Sequence, residues 1–204
     1  MIAMLSSLTY NIAVRSNMKS LNPTLWRTCK MLAGRKRVQL LRQLHDHPGS
    51  NVSELGDAVG IKRACASQEL RRIQSRGLLK SQRQGRSLIY RLDPDPQVSS
   101  AAPLLKAIQT ALHTLPARQD MDMCRLANGL AHPRRIAIVQ ALLESPQSTP
   151  ALQLSLRMPT PSLLSHLHVL EQSGMIIRRH PDWVLSCPLH PLARTLIHLL
   201  RKSM

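Results

Sequence analysis

The chain has 204 residues and a formal charge of +17, from 28 lysines and arginines against 11 acids. Apolar residues make up 43% but aromatics only 2%, with no Phe, which argues against a β-rich core and for helices packed through Leu, Ile, Val, Ala and Met. The few acids form no paired carboxylates, and neither a Ser/His/Asp grouping nor a phosphate-cradling Gly loop stands out, so an enzyme is not expected.

The length suits two domains of about 100 residues each. Residues 1–20 read as an N-terminal segment without clear pattern, its flexibility left open. MIAMLSSLTYNIAV lacks a basic region before its apolar run and is too short to span a bilayer, and a true start at Met18 is an alternative. No other stretch suits a membrane.

A first domain is predicted over 21–115. Asn22-Pro23-Thr24 starts a helix through Trp26, Cys29 and Met31, and a second helix over 35–44 carries Val38, Leu41 and Leu44 on one stripe. After the break at His47-Pro48-Gly49-Ser50, Asn51-Val52-Ser53-Glu54 has the form of a capping box opening a short helix that ends near Gly60. The next helix, about 63–75, buries Ala66, Leu70 and Ile73 and presents Ser67, Gln68, Arg71 and Arg72 on its other face. Gly77 ends it. Runs at 78–82 and 87–92 read as strands around a basic tip, Arg83-Gln84-Gly85-Arg86, and an apolar helix follows over about 103–113. Pro116-Ala117-Arg118-Gln119-Asp120 reads as a polar link.

A second domain over 116–204 repeats the plan. Leu32-Ala33-Gly34-Arg35-Lys36-Arg37-Val38 returns as Leu130-Ala131-His132-Pro133-Arg134-Arg135-Ile136. Thr149-Pro150 and Thr160-Pro161 each place a capping hydroxyl before a Pro at a helix start. Leu163, Leu167 and Leu170 take the buried positions of Ala66, Leu70 and Ile73 in a helix over 161–172, and Gly174 takes that of Gly77. Short strands around His180-Pro181-Asp182 and a closing helix from Pro191 to about Lys202 complete it. The fold class is therefore mainly α with small β-hairpin wings, as two tandem winged helix-turn-helix domains.

Such a fold with this charge points to double-stranded DNA, because Lys and Arg that displace counterions from phosphates supply most non-specific affinity. A merely solvated basic surface is the bland alternative. The cations are unequally shared. Lys62, Arg63, Arg71, Arg72, Arg76, Lys80, Arg83, Arg86 and Arg91 face only Glu69, whereas the second copy has Arg157, Arg178 and Arg179 opposed by Glu171 and Asp182. Base reading needs short polar or forked side chains, so Ser67, Gln68 and Arg71 are candidates in the first copy. Ser162, Ser165 and His168 are those of the second, and Lys62, Arg63, Arg72, Arg83, Arg86, Thr160 and His166 are candidate DNA contacts beside them. For Glu69 the first reading is a local salt bridge to Arg72 or Arg76.

The segments LAHPRRIAIVQALL, SHLHVLEQSGMI, SQELRRIQSRGLL and RQGRSLIYRL, in this order of elements, resemble the arsenic-repressor (ArsR) family of bacterial winged-helix regulators over most of the chain, as two tandem copies. The resemblance implies a transcriptional repressor whose recognition helix enters the major groove and whose wing touches the flanking backbone. It also implies pairing through first and last helices, here as an intramolecular pseudo-dimer or, alternatively, a homodimer. It departs from the family's Ser-x-His-Leu pattern, with Glu69 in place of His in one copy and Leu164 in place of Ser in the other. Neither family metal site is carried over, since the short helices lack Cys and the last helix offers only His190 and His198; no metal or other cofactor is expected. Cys29, Cys65, Cys124 and Cys187 have no metal-ligand spacing and read as reduced cytoplasmic thiols, with a thiol switch between Cys29 and Cys124 left open. The expected place of work is the bacterial cytoplasm, on the nucleoid. A non-specific architectural DNA-binding protein, or a protein-interaction module using the less basic second domain, are the alternatives.

Overall fold

The computed structural model describes residues 24–186 and 188–203, and these form a mainly helical fold with small antiparallel hairpins. The segment over 1–20, the helix start at Asn22-Pro23 and Cys187 lie outside the described residues.

Helix α1, Leu25–Leu32, and α2, Arg35–Asp46, each bury one apolar stripe, with Cys29, Met31 and Leu32 in the first and Val38, Leu41 and Leu44 in the second. The capping box predicted for α3, Val52–Val59, is complete: Asn51 Oδ1 accepts from the amides of Ser53 and Glu54, and Glu54 Oε2 accepts from the Asn51 amide. Gly60, at φ +67°, turns the chain into α4, Arg63–Gln74, which buries Ala66, Leu70 and Ile73 as the spacing predicts. Gly56 makes a different demand. A Cβ there would come 2.9 Å from the Ile61 carbonyl oxygen and 3.4 Å from Ala66 Cβ, so α3 and α4 cross through two of the smallest residues available.

Strands β1, Leu79–Gln84, and β2, Ser87–Leu92, pair in register from Leu79↔Leu92 to Gln84↔Ser87. The four-residue tip expected at 83–86 is corrected to a two-residue turn, because Gly85 takes the positive φ such a turn needs and lets Arg83 and Gln84 continue the strand. The Tyr90 amide donates to the Ser50 carbonyl, which ties the hairpin to the start of α3.

Helix α5, Ala101–Thr114, and a 3-10 turn at Ala117–Gln119 lead into α6, Asp120–Gly129. Then come α7, Pro133–Glu144; β3, Gln147–Ser148; α8, Thr149–Leu156; α9, Thr160–Gln172; β4, Ile176–Arg179; β5, Asp182–Leu185; and α10, Pro191–Lys202. The order of the first six helices and strands thus recurs, with β3 added as a third strand beside β5. Two caps differ from expectation. Thr149 and Thr160 are first helical residues rather than caps, because each Pro occupies the second helical position and moves the cap upstream, to Ser148 and Pro159. Ser148 accepts from the Ala151 amide, while Thr149 Oγ1 accepts from Trp183 Nε1 at 3.0 Å.

One connected cluster of buried apolar side chains runs from Cys29 to Leu200. Within it α1 and α2 pack on α6, and α5 packs along α10, where Leu104, Ile108 and Leu112 share the interior with Leu192, Leu196 and Leu200. Arg42 pins this seam. Its guanidinium donates to both Asp120 carboxylate oxygens, at 2.8 and 2.6 Å, and to the carbonyls of Leu112 and Leu115, at 2.9 and 3.0 Å. One side chain of α2 thereby satisfies the orphan carbonyls ending α5 and holds the residue that opens α6. The Asp120 carboxylate pushes the Arg42 guanidinium above its ordinary range. Both side chains are only 13% exposed, so water screens the pair weakly.

Replacing Asp120 by Ala is expected to cost about 3 kcal/mol, because it strands the guanidinium in a half-buried place. Urea denaturation checks this, and the double variant Arg42→Met, Asp120→Leu, which removes both charges, is expected to recover only part of the loss, because the carbonyls of Leu112 and Leu115 lose their donor.

Candidate nucleic-acid interface

In the first half, the short α3 and its glycine crossing hold α4 with one face on α2 and the other in solvent. Lys62, Arg63, Gln68, Arg71 and Arg72 are exposed on or just before α4, and Ser67 is half-buried beside them. The hairpin carries Arg83 and Arg86 exposed at its tip. Packing of α4 on β1 and a hydrogen bond from Gln74 Nε2 to Ser81 Oγ, 3.1 Å, couple helix and hairpin. Lys80 is partly offset by Asp93 at 3.0 Å.

Glu69 makes the expected contact with Arg72, at 2.5 Å, and a second with Arg37, at 2.7 Å, that sequence reasoning missed. Arg37 also donates to the carbonyls of Met31 and Lys30 at the end of α1, so its guanidinium locks α1 to α2 while its remaining donor holds Glu69. The acid among the cations of α4 is thus a structural tie facing the helix bundle. Arg135 repeats the carbonyl contacts, with those of Gly129 and Asn128, both at 2.8 Å, so the sequence offered no signal of the longer tie to Glu69. The two arginines hold the same place in the repeated segment.

In the second half the predicted residues divide. Thr160, Ser165 and His168 are exposed on α9, but Ser162 and His166 are half-buried and engaged with the start of α7. Ser162 Oγ accepts from Arg134 Nη1 at 3.0 Å, and the His166 ring lies 4.7 Å from that of His132. His132 in turn caps α7, its Nδ1 accepting from the Arg134 amide. His190 does the same for α10, accepting from the Leu192 amide. An accepting Nδ1 requires the neutral ring. Burial holds the pKa of His132, His166 and His190 below the ordinary histidine range, with Arg134 and Arg135 adding to the effect at the first two. Where the first half exposes cations around α4, the second exposes apolar side chains on α8 and α9, with Leu154 82% and Leu164 49% accessible.

Among the described residues, no three of His, Cys, Asp and Glu come together as a metal site, and no helix is long and apolar enough to cross a membrane. Burial pushes the Cys29 thiol up to about 12 and that of Cys124 up to about 11, so both stay protonated and poorly nucleophilic at neutral pH, which disfavours a switch between them.

Two outcomes follow from these environments. Histidines whose folded pKa is lowered bind fewer protons folded than unfolded, so stability is present above about pH 6.5 and falls as the pH drops below that unfolded value. Urea midpoints should decline between pH 7.5 and 5, and His132→Asn, which keeps a capping side chain without titrating, should flatten that decline. For the thiols, an alkylating reagent on the native chain is expected to label the exposed Cys65 well before Cys29 or Cys124, as read by mass spectrometry.

Comparison with known proteins bears on a part of the chain. It is 35% identical over 65 residues to the HTH-type transcriptional regulator NmtR of Mycobacterium tuberculosis, and 33% identical over 61 residues to the HTH-type transcriptional regulator YgaV of Escherichia coli. These matches take in 32% and 30% of this chain and 53% and 62% of the respective relatives, so the chain spans little more than half the length of the curated proteins it matches. No family model and no solved structure matches it. Over about a third of its length, the chain is similar to HTH-type transcriptional regulators.

Proposed function

We propose that the protein is a DNA-binding transcriptional regulator, a repressor of ArsR-like type, built from two fused winged helix-turn-helix domains over 21–115 and 116–204. The observation that carries this reading is the exposed basic face of α4 and its hairpin, with Lys62, Arg63, Gln68, Arg71 and Arg72 on the helix side and Arg83 and Arg86 at the tip. Similarity to HTH-type regulators supports it independently. Helix α4 enters the major groove, and the hairpin follows the adjacent backbone. Thr160, Ser165 and His168 present a weaker second reading head on α9.

The packing of α1 on α6 and of α5 on α10 supports an intramolecular pseudo-dimer, in which first and last helices pair within one chain. Tethering makes the effective concentration of the second head independent of protein concentration. Because the heads differ in charge, the operator need not be a palindrome. Such a regulator works in the cytoplasm, on the nucleoid. The exposed Leu154 and Leu164 favour a second reading, in which the α8–α9 surface contacts a protein rather than DNA.

Selection of binding sites from a random duplex pool at near-physiological salt tests the proposal. Two unequal half-sites about one helical turn apart support the regulator reading. Retention without an enriched sequence supports an architectural protein instead, and no retention leaves protein contact. Arg71→Ala is expected to cost about 1–3 kcal/mol and relax base preference at one position. Arg83→Ala and Arg86→Ala should each lower the salt slope by about 1 without altering preference, as measured by fluorescence anisotropy against a selected site and a scrambled one.

A further inference from the structure

Away from the exposed face of α4, a second concentration of positive charge lies between α1 and the C-terminal end of that helix. A cavity of about 430 Å3 there is walled by Trp26, Arg27, Lys30, Arg37, Arg72 and Arg76. Glu69 answers two of these cations, Arg37 and Arg72. Arg27, Lys30 and Arg76 form no ion pair among the described residues, and the Arg27 guanidinium lies over the Trp26 ring at 5.0 Å. Three unmatched cations around one opening repel each other, and an anion between them removes that cost.

The second half shows that the gap is not a necessity of the fold. There α9 packs directly on α6, and a Cβ on Gly129 would come 2.3 Å from the Ser173 hydroxyl. In the repeat, Asn128 stands for Lys30, Ser173 for Arg76, and Arg125, the counterpart of Arg27, is paired with Asp122 at 3.0 Å. Small or neutralised residues close the space in one half, while cations line an open cavity in the other.

We propose that the cavity between α1 and α4 is a binding site for nucleotide phosphate. The forked donors of Arg27 and Arg76 and the ammonium of Lys30 suit phosphate oxygens, and the Trp26 ring in the wall gives an attached base or sugar an apolar surface. The phosphate belongs either to a free nucleotide or to duplex backbone beyond the groove that α4 enters. In the first case an occupant touches both the reading helix and α1, which packs on the seam helix α6. The site stands on the cavity itself and does not require that α4 read bases.

The chain has two tryptophans, so Trp183→Phe leaves Trp26 as the sole emitter. In that background the full chain is titrated with pyrophosphate, and separately with a duplex, while Trp26 emission is followed. A saturable response to pyrophosphate, weakened at least tenfold in Arg27→Gln, Arg76→Gln, is the expected result and assigns a free phosphate ligand. A response to duplex alone, with the salt slope reduced by about 1.8 in the same double variant, assigns the phosphate to the DNA backbone. No response to either, or responses unchanged in the double variant, overturns the site. Circular dichroism checks that the variants fold, and Lys30→Gln serves if the double variant does not. Weaker and less selective DNA binding in Arg71→Ala with the pyrophosphate response intact separates failure of this site from failure of the reading helix.

Discussion

The passage from α5 into α6 is held by one guanidinium. Arg42 offers a planar fork of donors from the middle of α2, and four hydrogen bonds fill it with the end of α5 and the start of α6. An apolar side chain there could pack but could not answer the carbonyls of Leu112 and Leu115 or the carboxylate of Asp120. Once α6 is held, its apolar face receives α1 and α2 from one side and α9 from the other. The hydrophobic cluster supplies most of the stabilisation, and the ion pair ties α2 to the end of α5 and the start of α6.

A second layer of the same logic works locally. Arg37 and Arg135 each follow a helix break and turn back to take the last carbonyls of the helix before it. In the first half the spare donor goes to Glu69, fixing α4 against α2. In the second half a pair of neighbouring histidine rings, His132 and His166, fills the corresponding place. Equivalent positions thus join the same elements by a charge in one half and by burial in the other. The first solution leaves cations around an opening; the second draws α9 down onto α6.

Features set by neighbours in the chain were legible in the sequence. The capping box at Asn51, the buried stripe of α4, the left-handed Gly60 and the bounds of α10 follow from spacing and from residues with few conformational choices. Long-range polar partners were not. Nothing near Asp120 announces an arginine 78 residues earlier in the chain, and it read as part of a polar link. The histidine caps were hidden for another reason. His-Pro occurs at 47, 132, 180 and 190, but only His132 and His190 begin helices, so the dipeptide does not say which are caps. The Thr-Pro pairs misled in the same way, since Pro is accepted at either of the first helical positions and the hydroxyl before it need not be the cap. Of the candidate interface, the basic side chains could be named from the sequence. That Ser162 and His166 are drawn back toward α7 depends on Arg134, 28 residues before Ser162, and on His132, which caps that helix.

The packing of α1 on α6 and of α5 on α10 joins segments of a single polypeptide. In an assembly of identical subunits every amino-acid replacement appears on both sides of the contact, so a change useful to one side is imposed on the other. Here each replacement is made once. Arginines can accumulate around α4 while leucines become exposed around α9, and neither trend has to be tolerated by its counterpart. Packing between segments of one chain therefore lets the surface around α4 carry cations while that around α9 exposes leucines, without either change being copied onto the other.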